Sequence, residues 1–298
     1  MTTSTQDLTT TVASPRRSPF AQRRPMTAFV LLAFGIGWPA LIAPLLAGIP
    51  VSPFLLLLVF VALLGPALVV TRIADGPGAG RALLARARIW RFGVGRWLSI
   101  LFGVPVLTIA IAAVTGTLDN PESGWISVTA WYLFSTLIWG ALMINIWEEA
   151  AWGGFAQSRL MARHGLLVAS LLTAPLFAAI HVPLFFEGDV TWSNVAYNFA
   201  LLFAAAPFYR YLLGMHLLDT GGSILAIGIQ HAAWNAAGSL DPVQGEWQVV
   251  AAAALFTVLV AAARRVGTSN SRPIGVEAEQ AAAGSWIEGP RKPTVGKP

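Results

Sequence analysis

Two adjacent carboxylates, Glu148 and Glu149, close a stretch that carries no other charge from Ser123 onward. A second apolar run contains Phe177-Ala178-Ala179-Ile180-His181, and a third contains His231-Ala232-Ala233-Trp234-Asn235. Hydrolysis of an acyl bond needs a base for water and a donor for the oxyanion, and these side chains supply both. A carboxylate desolvated among apolar groups is a stronger base than in water. His231 and Asn235, four residues apart, project from one helix face. Each feature alone has a plain structural reading: a helix ending in water at Glu148, a packed imidazole at His181 or His231. Together, a carboxylate pair, two imidazoles and a carboxamide on three segments make a convergent site. The other histidines, His164 and His216, fall in polar connections and read as structural.

These groups are carried by very apolar elements. Of 298 residues, 56% are hydrophobic and only 11% charged, with a mean hydropathy of +0.66. Soluble chains carry about 25% charged residues, so an ordinary water-soluble domain is excluded. Uncharged runs extend from Met26 to Thr71, Trp97 to Leu118, Gly165 to Phe186, Val190 to Tyr209, Thr220 to Leu240 and Trp247 to Ala263. Each suits one or two helices of about 20 residues crossing a hydrocarbon core. The expectation is an all-α polytopic membrane protein of about eight transmembrane helices, with two spans within 26–71 broken near Gly48-Ile49-Pro50 and further spans near 97–117, 128–158, 166–187, 193–211, 219–239 and 246–263.

Charge orients these spans. With a cytoplasmic N-terminus, the outer connections near 48–52, 118–127, 187–192 and 240–246 contain no Lys or Arg, and every basic residue falls inside. That pattern obeys the positive-inside rule and places both termini in the cytoplasm. Trp97, Trp125, Trp192 and Trp247 fall at expected boundaries, where indoles anchor. The net charge of +5 follows this topology and does not point to nucleic acid. Residues 1–25 read as a disordered arm, and 264–298 as a disordered tail. The segment 75–96 reads as a basic amphipathic helix on an anionic inner leaflet. Zero cysteines exclude disulfides and thiolate metal sites. Seventeen Arg against two Lys suits a GC-rich bacterial genome, hence a bacterial plasma membrane.

Glu148-Glu149 with Trp152 and Gly154-Phe155, Phe177-xxx-His181 and His231-xxx-Asn235 resemble the three motifs of the CPBP (CAAX protease and bacteriocin-processing, or Abi) family. That family contains the Ras-converting prenyl-protein proteases. The likeness covers a core of about 125–240 within the 26–263 membrane domain. It implies an intramembrane endopeptidase acting on a membrane-associated protein or peptide, with its cavity open to the cytoplasm. It also implies that Glu148 and His181 activate water, that His231 and Asn235 stabilise the oxyanion, and that Glu149 belongs to the same catalytic motif. Members are commonly called metalloproteases, and Glu148, His181 and His231 would make a His₂Glu zinc set with water in the fourth position. A metal-free glutamate mechanism uses the same atoms, so both readings stand.

One position departs from the resemblance. The first motif of the family ends in Arg, where this chain has Gly153. That Arg would pair with Glu149 across one helical turn. Without it Glu149 must be protonated, face water, or find another cation such as Arg159 or Arg210. Gly153→Arg is therefore expected to be tolerated and to raise activity or stability. The departure also admits an inactive scaffold or bacteriocin-immunity protein of the same fold. A proton-coupled transporter is a third class, unsupported by repeated halves or paired broken helices.

Overall fold

The computed structural model describes residues 18–188, 190–268 and 276–288. Most of the expected N-terminal arm, and residues 269–275 and 289–298 of the expected tail, therefore lie outside the described residues. Among the described residues the fold is helical throughout, with one isolated antiparallel bridge between Leu118 and Val243. Six helices are long and apolar enough to cross a membrane: Pro25–Ala47, Phe54–Asp75, Val94–Val114, Gly124–Phe186, Trp192–Asp219 and Trp247–Val266. The chain is a multi-pass membrane protein. Its outer surface agrees, since large apolar side chains such as Ile126 (89% exposed) and Trp192 (80% exposed) point away from the core.

The stretch Gly124–Phe186 is not one rod. It reverses at Gly165, whose φ of 74° and ψ of 175° lie in a region essentially reserved for glycine. The first arm, 124–164, carries the glutamates and is called here the glutamate helix. The second arm, 165–180, ends at His181. The expected span 219–239 is the 14-residue helix Ile224–Ala237. At 1.5 Å per residue it reaches about 21 Å, short of a hydrocarbon core. Most of its residues are buried by protein, so it does not depend on lipid for its apolar contacts.

Small residues seat this short helix. A Cβ on Gly228 would lie 2.6 Å from the backbone of Ile146, and one on Gly140 would lie 2.8 Å from Ala232 Cβ. Only glycine permits such approach, as in small-residue helix interfaces within membranes. The contact at Ile146 is two residues from Glu148, so it fixes the separation between the His231 helix and the glutamates.

The two ends of the bundle differ in charge. At one end Arg96 and Arg264 both pair with Asp219 (2.5 and 3.1 Å), and Arg159 pairs with Asp75. At the other, Gln244 N–H donates to Thr117 O (2.9 Å), Asp119 N–H to Pro242 O (2.8 Å) and Val51 N–H to Glu187 Oε1 (3.0 Å). The first is the arginine-rich end and the second the arginine-free end.

Two expected segments differ in detail. Within 76–93 only Ala79–Ala85 and the turn Arg86–Arg88 are helical, while Asp75 and Val94 belong to the flanking helices. Arg86 turns inward instead of lying on a leaflet, donating to Gly222 O (2.8 Å), Gly154 O (3.0 Å) and Ser158 Oγ (3.3 Å). Within 264–298, Val276–Glu288 is a helix packed beside the Gly165 reversal. Its Glu279 Oε2 accepts from Leu166 N–H (2.9 Å), an otherwise orphaned donor at the start of the second arm. Its Trp286 ring lies 4.9 Å from the Arg86 guanidinium. The Ala281-Ala282-Ala283 run and Trp286 were the signals for this docked helix.

The reversal at Gly165 gives a direct test. Ala at this position would adopt a disfavoured backbone, and its Cβ would meet Val276 Cγ1 at 2.8 Å. Gly165→Ala is expected to cost about 1–3 kcal/mol, read as a lowered midpoint of thermal unfolding in detergent.

Candidate active site

The glutamate helix widens into π-helical turns on both sides of its carboxylates, over Ser135–Asn145 and Ala150–Gln157. Such turns are rare and are frequent at functional sites. Between them, Glu148 is 4% exposed and Glu149 fully buried. A buried carboxylate left unpaired would be very costly, and Glu149 is not unpaired. Arg210 Nη1 lies 2.8 and 3.0 Å from its two oxygens. The expected sixth span ended at 211, near an inner boundary. Instead Trp192–Asp219 is one helix, which places Arg210 within the bundle, fully buried.

The guanidinium is itself held. Arg210 Nε donates to Gln157 Oε1 (2.9 Å), while Gln157 Nε2 donates to Ser170 Oγ (3.1 Å) and Arg210 O (2.8 Å). On the other side, His231 Nδ1 lies 3.0 Å from Glu149 Oε1. Since a carboxylate only accepts, His231 donates there, leaving its Nε2 for the cavity. Glu149 thus joins three helices and orients an imidazole.

Glu148 faces elsewhere. Its Oε2 accepts from Asn145 Nδ2 (3.4 Å), and its Oε1 lies 3.5 Å from His181 Nε2. His181 Nδ1 is 2.7 Å from Phe177 O, one turn earlier. A carbonyl only accepts, so Nδ1 carries the proton and Nε2 presents a lone pair toward Glu148. The Phe177 ring sits among His181 (4.9 Å between centroids), His231 (5.6 Å) and Tyr209 (5.8 Å), fixing both imidazoles by packing.

These groups form the floor of a cavity of about 520 Å³. Its walls come from Leu55, Leu184, Leu202 and Val249, and its exposed residues include Ser239 and Glu246. Along each helix these wall residues lie beyond the site toward the arginine-free end. On the opposite side, Trp152, Phe155, Gln157, Arg210 and Ile227 are all fully buried. A second cavity, also about 520 Å³, meets the first at Ile144, Asn145, Asn235 and Ser239 and continues past Ser127, Trp131 and Asp241. Asn235 is exposed and lines both.

The zinc set does not close on this geometry. Among the described residues, no three His, Asp or Glu side chains are grouped to hold one metal ion. His231 is turned to Glu149 while His181 faces Glu148, so the imidazoles serve different carboxylates.

Residues 127–237 match the family model described as "Rce1-like: Type II CAAX prenyl endopeptidase Rce1-like". The matched stretch contains Glu148, Glu149, His181, Arg210, His231 and Asn235. This match assigns residues 127–237 to the CAAX protease family. No curated protein matches the chain.

Within this CAAX protease-like stretch the structure brings Glu148 to His181 and Glu149 to His231, with Asn235 one turn beyond on the cavity wall. Sequence reasoning passed over Asn145, Gln157 and Tyr209, and raised Arg210 only as one of several cations. Asn145 was legible, because it stands three residues before Glu148 on the same face. Gln157 and Tyr209 gave no local signal.

The expectation for Gly153→Arg is overturned. A Cβ there would lie 2.3 Å from buried Ile227 Cδ1, 2.8 Å from Glu149 Oε2 and 3.6 Å from Arg210 Nη2. The space is occupied, and the cation already present comes from another helix. Gly153→Arg should destabilise the protein by about 1–3 kcal/mol through overpacking. Arg210→Ala should cost about 3–5 kcal/mol, as removal of one partner of a buried ion pair does. If the two cations serve the same carboxylate, the double variant should be more stable than the sum of the singles by about 1 kcal/mol or more. Chemical unfolding of all four proteins in detergent measures this.

Proposed function

We propose that this chain is an intramembrane endopeptidase that hydrolyses a peptide bond of a membrane-associated protein or peptide. The observation that carries the reading is the facing pair of acceptors, Glu148 Oε1 and His181 Nε2, 3.5 Å apart at the floor of the cavity. Two acceptors so placed call for a shared donor, and a water molecule seated beside them on the cavity face can donate to both. Its oxygen is then left with a lone pair directed into the cavity, toward an approaching carbonyl carbon.

In the attack, the water oxygen bonds to that carbon while one of its protons passes to Glu148. The carbonyl electrons move onto oxygen, and His231 Nε2, when protonated, with Asn235 Nδ2 supplies donors for the oxyanion. Collapse of the tetrahedral intermediate breaks the C–N bond, and the proton held by Glu148 goes to the leaving amine. The products are a new amine and a new carboxylic acid, which retains the second water proton until it ionises to solvent. Glu149 does not touch the reacting atoms in this scheme. It is a positioning residue, holding the His231 ring while Arg210 balances its charge.

We further propose eight membrane crossings, counting both arms of the 63-residue stretch and the short Ile224–Ala237 helix. Both termini would lie in the cytoplasm of a bacterial cell. The uneven distribution of arginine supports that orientation.

Glu148→Gln and His231→Ala should each lower cleavage of a reporter peptide in proteoliposomes by about 10²–10⁴-fold, while the protein stays folded and membrane-inserted. Unchanged function after both substitutions would identify a non-catalytic scaffold. Cleavage should also survive chelation, with no gain on zinc add-back. Activity lost with chelator and restored by zinc would replace this mechanism with a metal-dependent one.

A further inference from the structure

We propose that Tyr209 is a third donor to the oxyanion, its phenol O–H joining His231 Nε2 and Asn235 Nδ2 on the tetrahedral intermediate. This rests on the reading of Glu148 as the hydrolytic base and adds a catalytic residue to that site.

The sequence places Tyr209 directly before Arg210 on the helix Trp192–Asp219. Successive side chains on a helix point about 100° apart. The arginine therefore enters the ion pair with Glu149 while the tyrosine lines the neighbouring cavity. The ring is held by packing on three sides. Its centroid lies 4.7 Å from that of Trp234, 5.3 Å from that of His231 at an interplanar angle of 72°, and 5.8 Å from that of Phe177. Trp234 and His231 belong to the helix Ile224–Ala237, which also presents Asn235 to the cavity. Tyr209 thus packs against the helix that carries both of the other oxyanion donors.

Packing explains the ring but not its hydroxyl. Tyr209 is 3% exposed, and its Oη is buried without a hydrogen-bond partner. Burying a phenol O–H unpaired costs folding free energy, whereas phenylalanine would fill the same space without that cost. A polar group kept under such a penalty calls for an explanation. Among the described residues, three side chains that line this cavity carry a buried, unpartnered atom: Asn145 Oδ1, Glu148 Oε1 and Tyr209 Oη. The amide carbonyl and the carboxylate only accept, so the phenol alone of the three can donate. An oxyanion formed in this cavity takes donors, and the unspent donor is Tyr209.

The ring is fixed before substrate arrives, so little beyond rotation of the O–H is needed to meet the developing charge. The proton stays on the phenol throughout. The water proton taken by Glu148 still goes to the leaving amine, and the balance of the hydrolysis is unchanged. Donation strengthens as the carbonyl electrons move onto oxygen, which lowers the barrier without tightening the ground-state complex.

The test is Tyr209→Phe in the full-length chain, reconstituted in proteoliposomes beside wild type and Glu148→Gln. One probe is an internally quenched apolar peptide, selected from a library by wild-type cleavage. The other is its phosphinic analogue, whose tetrahedral P–O⁻ imitates the intermediate. Tyr209→Phe should lower kcat by about 10²-fold with KM unchanged, and weaken binding of the phosphinic peptide by a similar factor. Its unfolding midpoint in detergent should equal or exceed that of the wild type, because the lost hydroxyl was unpaired. Unchanged kcat, or equal affinity for the phosphinic peptide, would overturn the assignment. A lowered unfolding midpoint would also overturn it, by showing that the hydroxyl supports the fold. A wild type that cleaves no library peptide, or a Glu148→Gln variant as active as wild type, would strike the hydrolytic reading itself, and this inference with it.

Discussion

A carboxylate placed in the middle of a membrane protein must be neutralised by protonation or by a partner, and here the partner, Arg210, comes from a different helix from the one that carries the family motif's Arg. Glu149 and Arg210 are both fully buried, and one guanidinium nitrogen, Nη1, reaches both carboxylate oxygens. Coulomb attraction at low dielectric is strong, but so is the cost of removing both ions from water. The balance is favourable only when the remaining donors and acceptors are satisfied, which is the role of Gln157, Ser170 and His231. The cluster therefore ties the glutamate helix, its reversed arm, the Trp192–Asp219 helix and the His231 helix into one unit. Packing alone would give these helices several similar registers, whereas a buried ion pair with directional hydrogen bonds accepts very few.

That constraint separates the two adjacent glutamates into different tasks. Successive residues on a helix point about 100° apart, so neighbouring carboxylates cannot share one partner set. Glu149 turns into the bundle and is locked; Glu148 turns to the cavity and meets His181 at 3.5 Å, close enough for both to contact one water on the cavity face. The same division holds for the imidazoles. His181 is tied by its Nδ1 to a backbone carbonyl, and His231 by its Nδ1 to a carboxylate, so each has its tautomer set by a neighbour. Glycine contributes by absence of bulk. Gly228 and Gly140 allow close approach of the His231 helix, and Gly153 leaves space beside Glu149 for Ile227 and the Arg210 guanidinium.

The exchange of an arginine between helices also explains how a chain with Gly153 keeps its site assembled. A guanidinium reaching Glu149 from across the bundle provides the same counter-charge as one reaching it along the helix. The two arrangements differ in what they brace: an intrahelical pair stiffens one turn, whereas the interhelical pair fixes the distance between helices. The resulting floor is closed on the side of the arginines, and the cavity extends the other way.

Much of this could be read from residues 123–240 without coordinates. Uncharged runs dictated membrane helices because a hydrocarbon core excludes unpaired charge. The sidedness of arginine followed from where the chain must turn. Glu148, His181, His231 and Asn235 stood out because polar groups in apolar runs are costly enough to need a reason. What the sequence could not supply were facts that depend on distance between segments far apart in the chain. Arg210 looked like the end of a helix until its contact with Glu149, 61 residues earlier, showed why that helix continues. The docked Val276–Glu288 helix, the fit at Gly153 and the direction in which the cavity opens are likewise decided by side chains meeting across helices. Local periodicity records which face of a helix is apolar, but not which neighbour will fill it.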